Sequence, residues 1–313
     1  MMKYKLLLLR SLALCLLLYA LPARAQEEDT AIWENIVIDE YVVTAMRNGF
    51  SIENFIKTIK NDTTFYKAFK TMRLKSFNAE NHISCYDKKG RIKAQLKSET
   101  KQIYRNGCRS MLVLDEQSSG DFYDRKKRYN YFTAQMYAGL FFTEDTVCGE
   151  NNIVKGSLSK ELSGLNRIEK SKVQLKQLMF NPGTAIPGLP FIGHKIGIFE
   201  PDVAQMYHFS LVKEDKNGVA CYKFTALPKE EYKNKVVINS FVTWLRISDY
   251  SILARSYSLS YKALGYDFDV SMYVTLMQKG KELLPSHINY DGDWKIVTKS
   301  REKVKFKADF SYL

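Results

Sequence analysis

The sequence predicts a mainly β protein of the α+β class: a strongly curved antiparallel sheet, or half-barrel, with helices packed on its open, concave side. Three observations lead there. Residues 236–312 read as a run of β-strands joined by short turns. Two capped amphipathic helical segments precede them within residues 51–74. An apolar Pro-rich stretch at 181–193 and an Asp-Gly-x-Trp sequence, Asp291 to Trp294, complete the set. Period-two alternation alone allows a sandwich, a barrel or a half-barrel. The other features tilt the choice to the half-barrel.

The elements follow in chain order. Residues 1–25 read as an export signal, with Lys3 and Lys5 at the start, apolar residues from Leu6 to Leu21, and Ala23-Arg24-Ala25 as the cleavage pattern. An uncleaved anchor is the rival reading, but Arg10 splits the apolar stretch. A lipid anchor at Cys15 would need a small residue before it, where Leu14 stands. Losing Lys3, Lys5, Arg10 and Arg24 takes the formal charge from +13 to +9. A basic exported chain suits anionic surfaces better than nucleic acid, although the lysines also serve plain solubility.

Residues 26–50 form an acidic lead-in with a strand-like Ile36-Val37-Ile38. One β-rich domain is expected over 51–313. Ser51 reads as a helix N-cap ahead of the stripe Phe55, Ile56 and Ile59. Asn61-Asp62-Thr63 restarts a second helix carrying Phe65, Phe69 and Met72. Strands are expected at 77–86, 91–104 and 111–114, with the first two flanking Asp87-Lys88-Lys89-Gly90. Ser118-Ser119-Gly120 and the basic run Arg125 to Arg128 read as loop. Further helices are expected at 134–142 and 170–179.

The stretch 181–193 holds three prolines and three glycines among Ile186, Leu189, Phe191 and Ile192. Proline bars regular helix and central strand there, yet the side chains are apolar. These four residues read as a flap over an apolar cavity, or as a fixed loop sealing the core. Strands resume at 207–212 and 219–226 around Asp215-Lys216-Asn217-Gly218. The final run comprises 236–247, 252–261, 266–276, then 285–290 and 294–298 on either side of a tight Asp291-Gly292 turn, and last 304–312. In the clearest strand Tyr266, Phe268, Val270, Met272, Val274 and Leu276 share one face, and Asp267, Asp269, Ser271 and Thr275 the other. Short connections make this an antiparallel meander.

Four cysteines follow the leader: Cys85, Cys108, Cys148 and Cys221. An oxidising compartment permits two disulfides. Cys85 with Cys108 is the preferred pair, leaving Cys148 with Cys221; free buried cysteines are the alternative. His82, His194, His208 and His287 are scattered singly, with no metal-ligand spacing. No Gly-x-Ser-x-Gly elbow or phosphate loop is present. Asp267 and Asp269 lie two apart on a strand, a spacing compatible with acid/base work but produced equally by any wet face. No cofactor, metal or catalytic residue is therefore expected.

Several stretches together resemble the lipoprotein-carrier superfold, the LolA/LolB-like family. They are Trp244 to Ile252, Leu284-Pro285, Tyr290-Asp291-Gly292-Asp293-Trp294 and Val304-Lys305-Phe306. The resemblance covers roughly the last third of the chain, which is longer than a plain carrier. It implies a curved half-barrel plugged by helices, whose apolar concave face holds acyl chains. It also implies the periplasm or outer-membrane periphery of a Gram-negative bacterium.

The inner face is expected to carry Trp244, Tyr257, Leu259, Phe268, Val270, Met272, Ile288, Trp294, Phe306 and Phe310, as core or as ligand lining. The expected function is non-catalytic binding of a lipid or other amphiphile. The alternative is an envelope scaffold with a filled core, partnered by an envelope protein or an anionic membrane. An outer-membrane barrel ending at Phe310 to Leu313 is a third reading, opposed by the helices. Three tripeptides starting at Asp29, Asp62 and Asp145 resemble an O-glycosylation motif of some Gram-negative envelopes.

Overall fold

The computed structural model describes residues 36–154, 178–186, 192–263, 266–296 and 300–313. In chain order they form β1 (Ile36–Ile38), α1 (Glu40–Arg47), α2 (Ile52–Lys60), α3 (Thr64–Met72), β2 (Phe77–Tyr86), β3 (Ile92–Arg105), β4 (Cys108–Gly120), α4 (Phe132–Phe141) and β5 (Thr146–Cys148). There follow α5 (Pro201–Ala204), β6 (Tyr207–Lys216), β7 (Val219–Pro228), β8 (Ile238–Arg246), β9 (Ile252–Ala263), β10 (Tyr266–Lys279), β11 (Glu282–Ile296) and β12 (Glu302–Tyr312). The strands make one curved, unclosed sheet in the order β1-β6-β7-β8-β9-β10-β11-β12-β2-β3-β4-β5. Every pairing is antiparallel except β1 with β6. β12 lies between β11 and β2, so the last strand in chain order joins the run β6–β11 to the run β2–β5.

Local chemistry sets the boundaries. Asn106-Gly107 and Asn217-Gly218 adopt the left-handed backbone that a two-residue hairpin turn needs, and they fold β3 onto β4 and β6 onto β7. Ser51 caps α2 by accepting from the Asn54 amide at 3.1 Å. Asp62, rather than Thr63, organises the start of α3: its Oδ1 accepts from the Thr64 amide at 3.2 Å and the Thr64 hydroxyl at 2.6 Å. Asp39 accepts from the Val42 amide at the start of α1 and from the Lys213 amide at 2.6 Å, which ties that corner to β6. The buried side chains of α2, α3 and α4 join those of the sheet's apolar face in a single core. Residues 178–180 are helical and contribute Leu178, Met179 and Phe180 to it.

Four expectations change. The Asp291-Gly292 turn does not exist: β11 runs straight through it, with Gly292 opposite Val270 on one side and Val304 on the other. Gly292 is needed instead because the Tyr290 ring lies over it, and a Cβ there would collide with the Tyr290 hydroxyl. Ser118, Ser119 and Gly120 are strand, held against Leu96, Gln95 and Ala94 of β3. The lead-in carries a helix, α1, that the sequence reading lacked.

The disulfide is Cys108–Cys148, not Cys85–Cys108. Cys108 opens β4 directly opposite Cys148 of β5. Cys85 pairs in register with Ala94, at the far end of β3 from the β4 turn, roughly 35 Å away at strand rise. Cys85 and Cys221 are free and buried, so the Cys148–Cys221 pairing falls as well. The expected leader with Cys15, the Asp29 tripeptide and most of the helix expected at 170–179 lie outside the described residues.

Candidate functional site

The candidate site is the apolar inner face of the sheet, and the registers show it as rows of side chains crossing the strands. One row runs Phe241, Tyr257, Met272, Tyr290, Phe306, Ile83, Leu96 from β8 to β3. A second runs Ile238, Leu259, Val270, Gly292, Val304, Cys85, Ala94 over the same strands. Along β12 the alternation that puts Lys303, Lys305 and Lys307 outside puts Val304, Phe306 and Ala308 inside. Of the ten residues expected on this face, Tyr257, Leu259, Phe268, Val270, Met272, Ile288, Phe306 and Phe310 are buried in the one large core. Trp294 borders it, tilted against Phe268 at 5.3 Å, with its indole N–H donated to the Tyr290 hydroxyl.

Trp244 is a correction. It belongs to a separate small cluster with Cys221 and Ala254, on the opposite face from Thr243 and Leu245. There its indole donates to Glu214 at 2.9 Å and its ring carries the Lys216 ammonium 3.9 Å from its centroid. Of the flap residues, Ile186 and Ile192 are buried in the core, and the Ile186 amide donates to the Gly193 carbonyl at 2.8 Å. Leu189 and Phe191 lie outside the described residues.

Aromatic side chains fasten the covering helices. Tyr137 of α4 meets Phe306 at 4.3 Å, and Phe69 of α3 stacks on Phe180 at 3.9 Å. Phe306 in turn stacks on Tyr290 at 4.5 Å. Glu302 of β12 accepts from the amides of Phe132 and Thr133, at 2.7 and 2.9 Å, and so holds the start of α4. The Tyr257 hydroxyl donates to the Met179 carbonyl.

A third row is polar at both ends: Thr243, Arg255, Val274, Ile288, Ala308, Asn81, Ser98. The Asn81 end is satisfied. Tyr137 donates to its Oδ1 at 2.7 Å, and its Nδ2 reaches Thr100 Oγ1 at 3.2 Å. The Arg255 end is different. Arg255 is only 3% exposed, and its guanidinium carbon lies 4.5 Å from the Phe65 centroid and 5.1 Å from that of Phe241. Of its five donors, Nε alone has a hydrogen-bond partner among the described residues, Thr243 Oγ1 at 3.0 Å.

Burial pulls the Arg255 pKa down to about 10, against the field of Asp62. Asp62 Oδ2 is buried with no hydrogen-bond partner, so the two charges do not meet. The sequence reading passed over Arg255. Its signal was parity, because it stands two residues before Tyr257 in a strand whose inner face was already assigned.

Asp267, one of the weighed carboxylate pair, accepts from Arg301 Nη1 at 2.9 Å, while Arg301 Nε reaches Asp293 at 2.6 Å. Asp269 is exposed. Among the described residues no three His, Cys, Asp or Glu side chains converge as a metal site.

No family model and no curated protein matches the sequence. Two solved structures align with it. One is a DUF1329 family protein from Desulfovibrio piger, 11% identical over 80% of this chain and 91% of that one, with a TM-score of 0.24. The other is lipovitellin, described for its lipid–protein interactions, 8% identical over 77% of this chain and 25% of that one, with a TM-score of 0.25. The half-barrel architecture therefore rests on the sheet itself.

Proposed function

We propose that the protein binds a lipid or other amphiphile without catalysis, between the inner face of the sheet and the helices that cover it. The observation that carries this is an apolar face continuous over seven strands, from β8 to β3, roofed by short helical segments rather than by a second sheet. Helices α2, α3 and α4 span nine, nine and ten residues, lengths that are marginal in isolation and rely on the aromatic contacts beneath them. Such a roof can lift in part without unfolding the sheet. The sequence resemblance to lipoprotein carriers points the same way. Export by the leader to the periplasm or outer-membrane periphery of a Gram-negative cell, within reach of anionic membrane, belongs to the same reading.

The test is mass spectrometry of organic extracts of the protein starting at Gln26, with displacement of a fluorescent fatty acid. Lipid is expected in the extract and saturable displacement in solution. Neither appearing would sink the proposal. A second reading, an envelope scaffold with a filled core, is favoured by the near-complete burial of Tyr257, Ile288 and Phe306 under the helices. It predicts that empty extract together with an undiminished melting temperature.

A further inference from the structure

We infer that Arg255 anchors the acidic headgroup of the ligand, a carboxylate or phosphate monoester at the end of an acyl chain. The inference rests on the lipid-binding reading above and specifies its ligand class.

A guanidinium taken out of water is costly, and folded proteins ordinarily answer it with a carboxylate fork or a set of carbonyls. Arg255 has neither among the described residues. It has one hydroxyl, Thr243, and two ring faces, Phe65 from α3 and Phe241 from β8. Rings cradle the cation from the sides but accept nothing from its in-plane donors, whose one hydrogen-bond partner among the described residues is the Thr243 hydroxyl. The carboxylate that acts on it, Asp62, spends Oδ1 on starting α3 and leaves Oδ2 buried without a partner.

A cation and an anion thus lie within each other's field without a hydrogen bond between them, and among the described residues Arg255 has one hydrogen-bond partner. That is a poor arrangement for stability alone, since an apolar side chain at 255 would pack against Phe65 and Phe241 at no desolvation cost. It suits a site completed from outside. An incoming acid group supplies the fork Arg255 lacks and compensates its charge, while the acyl chain follows the apolar row through Val274 and Ile288. Because Phe65 covers the guanidinium, occupation requires the α2–α3 junction at Asp62 to shift.

Competition against bound Nile red, a neutral probe, tests this with four ligands: oleate, oleyl alcohol, oleoyl lysophosphatidic acid and monoolein. One or both acids are expected to bind about ten- to a hundredfold tighter than the neutral partner of the same chain, and Arg255→Met to bring that ratio to about one. Preference confined to oleate identifies a carboxylate; preference confined to the lysophosphatidic acid identifies a phosphate. Should Arg255→Met fail to fold, arginine side-chain 15N spectra of the unaltered protein decide, since oleate or lysophosphatidic acid must shift the Arg255 signal where the neutral ligands do not. Equal binding of all four ligands overturns this inference and leaves the lipid-binding reading standing. Failure of all four overturns both.

Discussion

Glu150 holds two arginines at once. Arg109, itself buried, donates to it from Nε at 2.5 Å, and Arg73 from Nη2 at 2.7 Å. Burial works to raise the Glu150 pKa, but the hydrogen bonds from Arg109 and Arg73 outweigh it and leave the value below the ordinary one. A carboxyl lowered by folding contributes stability that is fully present above its unfolded pKa, about 4.3, and lost as pH falls through the lowered value. Melting temperatures measured between about pH 3 and pH 6 should therefore fall more steeply for the unaltered protein than for Glu150→Gln. At neutral pH that substitution should cost about 1.5–3 kcal/mol, because Arg109 stays buried beside a neutral amide.

The cysteines give a second prediction at this scale. Burial pushes the Cys85 thiol up to about 12 and raises Cys221 too, so neither offers thiolate at neutral pH. Alkylation of the chain from Gln26 onward should label no cysteine in the folded state, two after denaturation and four after reduction. The Cys108–Cys148 link closes a loop of 40 residues, and its reduction should cost about 4 kcal/mol in denaturant unfolding. Pairing preference was illegible in the sequence, because which cysteines face each other depends on strand length and register, and β4 begins three residues before the apolar run Met111 to Leu114 that marked it.

At the scale of elements, the Asp87-Lys88-Lys89-Gly90 signal bounded β2, period-two alternation located β12 within two residues and β10 but for its last three, and Ser51 and Asn61-Asp62-Thr63 located α2 and α3. Trp244 departs from its expected place for a physical reason. Aromatic size points it inward, whereas the alternation of β8 buries Phe241, Thr243 and Leu245 and sends Trp244 to the lysine-covered face. Asp291-Gly292 misled likewise, since the same dipeptide serves a turn and a close approach of an aromatic ring.

Two predictions belong here. Glu302→Ala should release the first turn of α4 and cost about 1–2 kcal/mol, with faster amide exchange confined to that helix. β4 beyond Ser110 has no outer partner among the described residues, and Leu112, Val113 and Leu114 are more than half exposed on it. An uncovered apolar strand edge templates pairing between chains, so Val113→Lys should reduce light scattering on prolonged incubation.

For the molecule as a whole, the inner rows were legible as a face but not as rows, because cross-strand neighbours come from register and not from any one strand. Phe306 sits where this matters most, between Tyr290 and Tyr137, joining sheet to roof. Phe306→Ala should cost about 3–5 kcal/mol by denaturant unfolding. A change in the unfolding slope as well would indicate that sheet and roof separate.

The seat of β12 between β11 and β2 also carries a statement about time. The last strand lies side by side with the second, Tyr312 opposite Phe77, so the pairing that joins the two runs of the sheet spans more than 200 residues of sequence. Hairpins such as β3–β4 and β6–β7 can close as soon as they are synthesised, but the two halves stay unjoined until the final strand arrives. A chain assembled in that order keeps its inner face open longest, and the moment of closure is also the moment at which whatever lies against that face is enclosed.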